Sequence, residues 1–178
     1  MFAKTILLAL AKQNQAANAA VVDILDRKFS LPDRQKERGS YYHSLEGLAK
    51  HIAGGTLHFL QIAEATLKGD KTAEHILSAL KTAAFFDEKP LDINGWQNLK
   101  KTITKVDRIW VELAQSLNDS NYDAIVKIDW FGDKKVSLGS FLTMLGVHNV
   151  HHRGQLSQIF DSLKIDNDYS RFDPSFFA

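Results

Sequence analysis

Four stretches of the chain place apolar side chains at every third or fourth position, a period that a helix can bury on one face and a strand cannot. The clearest is Leu99, Ile103, Val106, Trp110, Leu113 and Leu117, which rise in steps of four and three as a one-sided stripe. A first helix over 2–29 follows from Ile6, Leu10, Ala17, Val21, Ile24 and Leu25, with Lys4, Lys12 and Asp23 between them. The second, 41–68, carries Leu45, Leu48, Ile52, Phe59, Ile62 and Leu67 and ends at Lys68-Gly69, a C-cap pattern, with Gly39-Ser40 as a start signal. The fourth runs from Leu138 to Leu163.

Between these lie shorter features. Ser30-Leu31-Pro32-Asp33 and the charged run after it have no periodicity and predict a solvated connector. A short helix is expected over 72–82, and Pro90 breaks the chain before the third long helix. Val126, Ile128 and Trp130 alternate with Lys127 and Asp129 ahead of Phe131-Gly132-Asp133, which predicts a small β-hairpin or extended linker. The aromatic-rich tail after Asn167 is expected to be irregular and to pack back on the body. Layer logic makes this an all-α four-helix bundle with a short ancillary helix and a possible hairpin before the last helix, one domain over 1–178.

Composition narrows the function. With 22 basic against 21 acidic residues and no long block of either sign, the chain has no field to attract nucleic acid or anionic lipid. It has no cysteine, which removes disulfides, thiolate metal sites and a cysteine nucleophile, so any thiol chemistry needs a thiol from outside. The opening MFAKTILLALAKQ has too short an apolar core for a secretory signal and far too short a one for a membrane span, so a cytoplasmic protein is expected.

The stripe of the fourth helix reads Leu138, Leu142, Leu145, His148, His152, Leu156, Ile159 and Leu163, so two histidines occupy core positions. At about 100° per residue, an i, i+4 pair lies about 40° apart on one face, and both imidazoles can reach one ion. A lone core histidine is ordinarily a hydrogen-bonded structural residue, whereas two at chelating spacing weigh toward a ligand pair. His148 and His151 at i, i+3 are a competing pair, but the stripe favours His152 and leaves His151 at the surface or behind a ligand.

A third ligand has to come from another helix, and the second offers His43, His51 and His58. His51 and His58 share a face but stand about 10 Å apart along the axis, so one at most is level with the pair. If the second and fourth helices run parallel, His51 and His148 each lie about ten residues from their helix starts and fall level. His75, on the short helix, is expected to be exposed. Other site types fail on the residues: no Glu has a His three positions on, as di-iron bundles need. Asn149 follows His148 where a zinc protease has its glutamate, and no phosphate-binding glycine loop occurs. Gly54-Gly55 is better explained by close helix packing or by space beside the site.

The run His148-Asn149-Val150-His151-His152-Arg153-Gly154-Gln155-Leu156 resembles the His-x-x-His-His-Arg-Gly-Gln signature of the DinB (damage-inducible) family, within the DinB/YfiT-like metalloenzymes. Ser44-Leu45-Glu46-Gly47-Leu48-Ala49-Lys50-His51-Ile52 is similar to that family's second-helix motif, whose closing histidine is a ligand, and so selects His51 over His58. Asn14 with Asn18 is a weaker match to a first-helix Tyr-Asn-x-Trp-Ala-Asn pattern, with Gln13 and Ala16 in place of its Tyr and Trp. Gly55 and His58 stand where the second helix often carries an acid and a Trp. The resemblance implies a metal triad of His51, His148 and His152 with open coordination positions, holding one divalent ion such as zinc, nickel or iron. It further implies a metal-dependent enzyme of the thiol S-transferase or hydrolase type acting on a small molecule, with a low-molecular-weight thiol as a candidate co-substrate and a homodimer as a candidate assembly. The alternative is a non-catalytic metal-binding protein of the stress or damage response. Arg153 and Gln155 match the motif, and helix packing with hydrogen bonding is their expected role. Glu46 and Asp161, the nearest acids on the two motif helices, are expected off the ligand face.

Overall fold

The four long helices form as the apolar period requires. In the computed structural model, which describes residues 2–168 and 175, they are α1 (Phe2–Lys28), α3 (Leu45–Thr66), α5 (Ile93–Ser116) and α7 (Leu138–Ser162). The starts of the last three are fixed by a side-chain oxygen taking up an orphan amide. Ser44 accepts from Gly47 N, Asp92 from Gly95 N and Ser137 from Ser140 N. The start of α3 is therefore Ser44, not the expected Gly39-Ser40. The expected solvated connector contains a one-turn helix, α2 (Leu31–Gln35), because Ser30 and Asp33 close a capping box around Pro32.

Each long helix packs mainly on two neighbours, in the cyclic order α1, α5, α3, α7. Directions follow from which residues meet. On α1 and α7, Leu10 lies at Gly146 while Asn14 and Asn18 reach Arg153, so these helices run parallel. Asn14 reaches Asp107 and Asp26 takes the Trp96 indole N–H at 2.6 Å, so α5 runs against α1. Phe59 stacks on Phe141 at 4.5 Å while His51 meets His148 and His152, so α3 runs against α7. The parallel relation that would have levelled His51 with His148 is thus corrected to an antiparallel one, with the start of α3 beside the last third of α7.

Because α3 and α5 are consecutive and parallel, residues 67–92 must return the full length of the bundle. They do so through α4 (Lys71–Leu77), a 3₁₀ turn at Ser78–Thr82, close to the expected short helix, and an extended run. Lys50 Nζ donates to Lys89 O at 2.6 Å and Leu91 N donates to Glu46 Oε1 at 3.0 Å, tying this run to the start of α3. Between α5 and α7 lie α6 (Asp119–Asp123) and a two-stranded antiparallel sheet, β1 (Ile125–Val126) with β2 (Val136–Ser137), Val126 opposite Val136. The hairpin is shorter than its alternation predicts, because Trp130 sits in a 3₁₀ turn (Asp129–Phe131) and is 57% exposed. Tyr169, Phe172, Phe176 and Phe177 of the tail lie outside the described residues.

The apolar core falls into two clusters. One holds Leu57, Leu60, Trp110, Phe141 and Leu145; the other holds Leu25, Leu48, Trp96, Leu99 and Phe160. At the level between them each long helix turns a polar side chain inward: Asn14 and Asn18 from α1, Thr56 from α3, Asp107 from α5, Asn149 and Arg153 from α7, all buried. This polar belt lies directly behind the histidines. It also changes the stripe expected for α7, where Asn149, Arg153 and Phe160 are buried while His148 and Ile159 are half-buried and Leu163 is 40% exposed.

Candidate metal centre

His51 on α3 and His148 and His152 on α7 converge, with one nitrogen of each ring within 4.8 Å of the others. Ring centroids are 4.9 Å apart for His51–His148, 4.3 Å for His51–His152 and 4.4 Å for His148–His152. The Nε2 atoms of His51 and His148 face each other at 3.0 Å. Two imidazole nitrogens on one ion, each about 2.0–2.1 Å from it, stand about 3 Å apart at near-right or tetrahedral angles, so this spacing fits a shared ion.

The opposite edges of the α7 rings are held by side-chain amides. His152 Nδ1 lies 2.8 Å from Gln155 Oε1, and His148 Nδ1 lies 3.3 Å from Asn149 Oδ1. An amide oxygen only accepts, so Nδ1–H donates and Nε2 is left as a lone pair facing the centre. Asn149 is itself fixed by donating from Nδ2 to Thr56 Oγ1 at 3.0 Å. Room for His148 comes from Gly55, where a Cβ would fall 2.7 Å from His148 Cε1. The expected role of Gly55, space beside the site, is what the packing requires. Gly54 lies beside Phe85 instead, where a Cβ would make an ordinary 3.6 Å contact.

Electrostatics also favour ligation. Burial, and then the neighbouring His152 and His148 rings, push the His51 imidazole down from 6.5 to about 4. Burial lowers His148 and His152 as well, partly offset by the Asn149 and Gln155 hydrogen bonds. All three rings are therefore neutral at neutral pH, the form that binds a metal.

The remaining histidines stay apart from the triad. His58 is exposed beside Trp130, His43 pairs with Glu37 at 3.1 Å on the surface, His75 is exposed, and His151 points outward with its ring 4.9 Å from that of His152. Asp161 accepts from Asn167 at the surface. Glu46 is buried away from the triad, where it pairs with Lys50 at 3.0 Å and accepts from Gln35. Arg153 does pack and bond: it donates to Asn14 Oδ1 at 2.5 Å and Asn18 Oδ1 at 2.9 Å, while Asn14 and Asn18 donate to Asp107. Asn14 and Asn18 thus bridge the buried guanidinium and the buried carboxylate. Burial pushes Asp107 up to about 7, against the pull of Asn18, Arg153 and Asn14.

Sequence reasoning misses two residues. Asp107 has a signal, since it stands four residues after Ile103 on the face that α5 buries. Tyr42 has none, because the helix expected over 41–68 takes it in as one more helical residue, whereas it stands in the loop before α3; its ring stacks on His51 with centroids 3.9 Å apart and its hydroxyl oxygen is 2.9 Å from His51 Nε2. Beside it opens a cleft of about 1030 Å³ walled by Tyr41, Tyr42, Lys50, His51, Phe85 and Phe86. His51 is the one member of the triad on that wall, so the centre sits at the edge of the cleft and not on its floor. No helix among the described residues is long and apolar enough to cross a membrane.

No curated protein and no solved structure matches the chain significantly. The model of the DinB family matches residues 1–163, a span that takes in α1 through α7 and all three histidines. The chain belongs to the DinB family.

Proposed function

We propose that the chain binds one divalent metal ion through His51, His148 and His152 and uses it to act on a small molecule that enters from the neighbouring cleft. The observation that carries this reading is the convergence of three neutral imidazoles, two with Nε2 atoms 3.0 Å apart, at the rim of a cleft of about 1030 Å³. Three neutral ligands leave coordination positions open, the arrangement of catalytic rather than closed structural sites. A bound ion there would supply Lewis acidity, activating water or a thiol as a nucleophile at neutral pH. Since the chain has no cysteine, a transferase reaction would draw on an external low-molecular-weight thiol. The protein's own part is to hold the rings: Gln155 and Asn149 fix the α7 imidazoles, and Gly55 keeps the space that His148 fills.

Elemental analysis of tag-free protein, beside His51→Ala, His148→Ala and His152→Ala, tests the centre. About one equivalent of metal in the native protein and none in the variants is the expected result; no uptake even after reconstitution overturns the reading. Catalysis is tested on a panel of electrophiles and esters, with and without added thiols, where rates unchanged by His152→Ala count against an enzyme. A second reading, a non-catalytic metal-binding protein, draws on the neutral character of the groups behind the triad (Gln155, Asn149 and Thr56) and on the engagement of Glu46 with Lys50. A metal-loaded protein inert toward the whole panel, whose partner binding changes on chelation, would favour it.

A further inference from the structure

We propose that Tyr42 is the hydrogen-bond donor to whatever anionic or polar group occupies the open position of the three-histidine centre, approaching it from the cleft. The inference rests on the metal-binding reading above and goes beyond it by assigning the site a fourth protein group with a defined role.

The position of Tyr42 is built, not incidental. Its carbonyl accepts from Ser44 N at 2.7 Å, and the next residue, His43, is held at φ +64° with its N–H on Ser40 O at 2.8 Å. Gly47 is required by the same loop, because a Cβ there would fall 2.0 Å from Tyr42 O. The N-terminal turn of α3 and the loop before it are thus locked together, and the phenol is laid over His51, with an edge-on contact to His152 at 5.3 Å between centroids.

Ring geometry separates the phenol from the ion's own place. An imidazole nitrogen binds a metal along its lone pair, in the plane of the ring. The Tyr42 and His51 rings are stacked, with 22° between their planes, so the hydroxyl oxygen approaches Nε2 from the ring face and leaves the in-plane direction to the ion. Tyr42 and His51 both line the cleft, so the hydroxyl stands between that space and the histidine centre's edge on the wall they share. Glu46, the acid that α3 contributes to the cleft, and Lys50 are both engaged elsewhere. The Glu46 carboxylate accepts from Leu91 N and Gln35, and Lys50 Nζ is held by Glu46 and by the carbonyls of Asp87 and Lys89.

The test uses full-length protein loaded with Co(II), whose visible spectrum reports both metal uptake and the binding of azide as an anionic probe. Tyr42→Phe keeps the stacked ring and removes only the hydroxyl. The expected result is a Co(II) dissociation constant within about threefold of the native value, with azide bound about tenfold more weakly, the effect of one lost hydrogen bond to a charged group. A Co(II) affinity lowered tenfold or more would make Tyr42 a direct ligand and overturn the proposal. Unchanged azide affinity would reduce Tyr42 to a stacking residue and overturn it as well. A native protein that takes up no Co(II) overturns this inference together with the metal-binding reading, whereas failure in the azide arm alone leaves that reading intact.

Discussion

A methyl group at position 55 would lie 2.7 Å from His148 Cε1, whereas one at position 54 would touch Phe85 at an ordinary 3.6 Å. These adjacent helical glycines should therefore respond in opposite ways to the same change. Gly54→Ala is expected to stabilise the apo protein by about 0.5–1 kcal/mol through helix propensity, with metal affinity unchanged. Gly55→Ala is expected to displace the His148 ring and to weaken metal binding by about 10–100-fold, the usual cost of disturbing the groups that seat a ligand. Denaturant unfolding and chelator competition on both variants check the pair. Protonation acts at the same scale. Because His51 titrates near 4 in the folded chain and near 6.5 when unfolded, the unfolded chain holds the extra proton between those values. Stability contributed by the neutral His51 ring is thus complete above about pH 6.5 and is lost as pH falls toward 4. The apo protein should lose stability relative to His51→Gln across that window, and an NMR titration should place the His51 midpoint near 4. A midpoint at the ordinary imidazole value would show that the ring is not desolvated as its packing implies.

Among the elements, the long helices are legible in the sequence because a period of three and four residues is imposed by burial on one face, and burial is what these segments do. What is not legible is what periodicity along one segment does not encode. The direction of α3 against α7 depends on how the chain returns through 67–92, and the pairing of Lys50 with the Lys89 carbonyl that fixes this return joins residues 39 positions apart. The triad is readable through the i, i+4 histidines and a motif, although the parallel packing assumed to level His51 is wrong. Tyr42 is invisible because the expected helix over 41–68 absorbs it while the chain keeps it in the loop before α3, and α2 because a capping box, not an apolar face, makes it. The belt linking α1, α5 and α7 is readable only in part: Asn14, Asn18 and Arg153 fall in motifs, while Asp107, which the two asparagines link to Arg153, passes as one more polar residue on a helix. That belt carries the element-scale prediction. Asp107→Ala leaves the buried amide donors of Asn14 and Asn18 without the acceptor they share and should destabilise by about 2–4 kcal/mol, and a double variant with Arg153→Met should lose less than the sum of the two single losses, because both changes act on the same two asparagines. Chemical denaturation of the two single variants and the double variant closes the cycle; additive losses would show that the guanidinium and carboxylate do not depend on each other.

For the molecule as a whole, the position of the three histidines couples metal binding to the packing of the bundle. His51 belongs to one of the two helices that run down the bundle and His148 and His152 to one of the two that run up, so an ion bound by all three joins α3 to α7 at the level where the apolar core is interrupted by polar side chains. The polar belt gives up hydrophobic burial at that height, and a ligand that binds only the folded chain restores stability there by mass action. At a free metal concentration about 100 times the dissociation constant the gain is about 2.7 kcal/mol, and for a chain of this size each kcal/mol raises Tm by about 2–4 °C, so a rise of about 5–10 °C is expected. His148→Ala should abolish the rise, because the remaining histidines lie on two different helices and offer one nitrogen each. Its own apo Tm should change little, because His148 is half-buried and removing it leaves Asn149 still bonded to Thr56. Scanning calorimetry of both proteins with and without added metal distinguishes the cases. A shift that survives His148→Ala would place the stabilising ion elsewhere on the chain, while a rise in the native protein alone would tie the thermal stability of the bundle to the histidine centre.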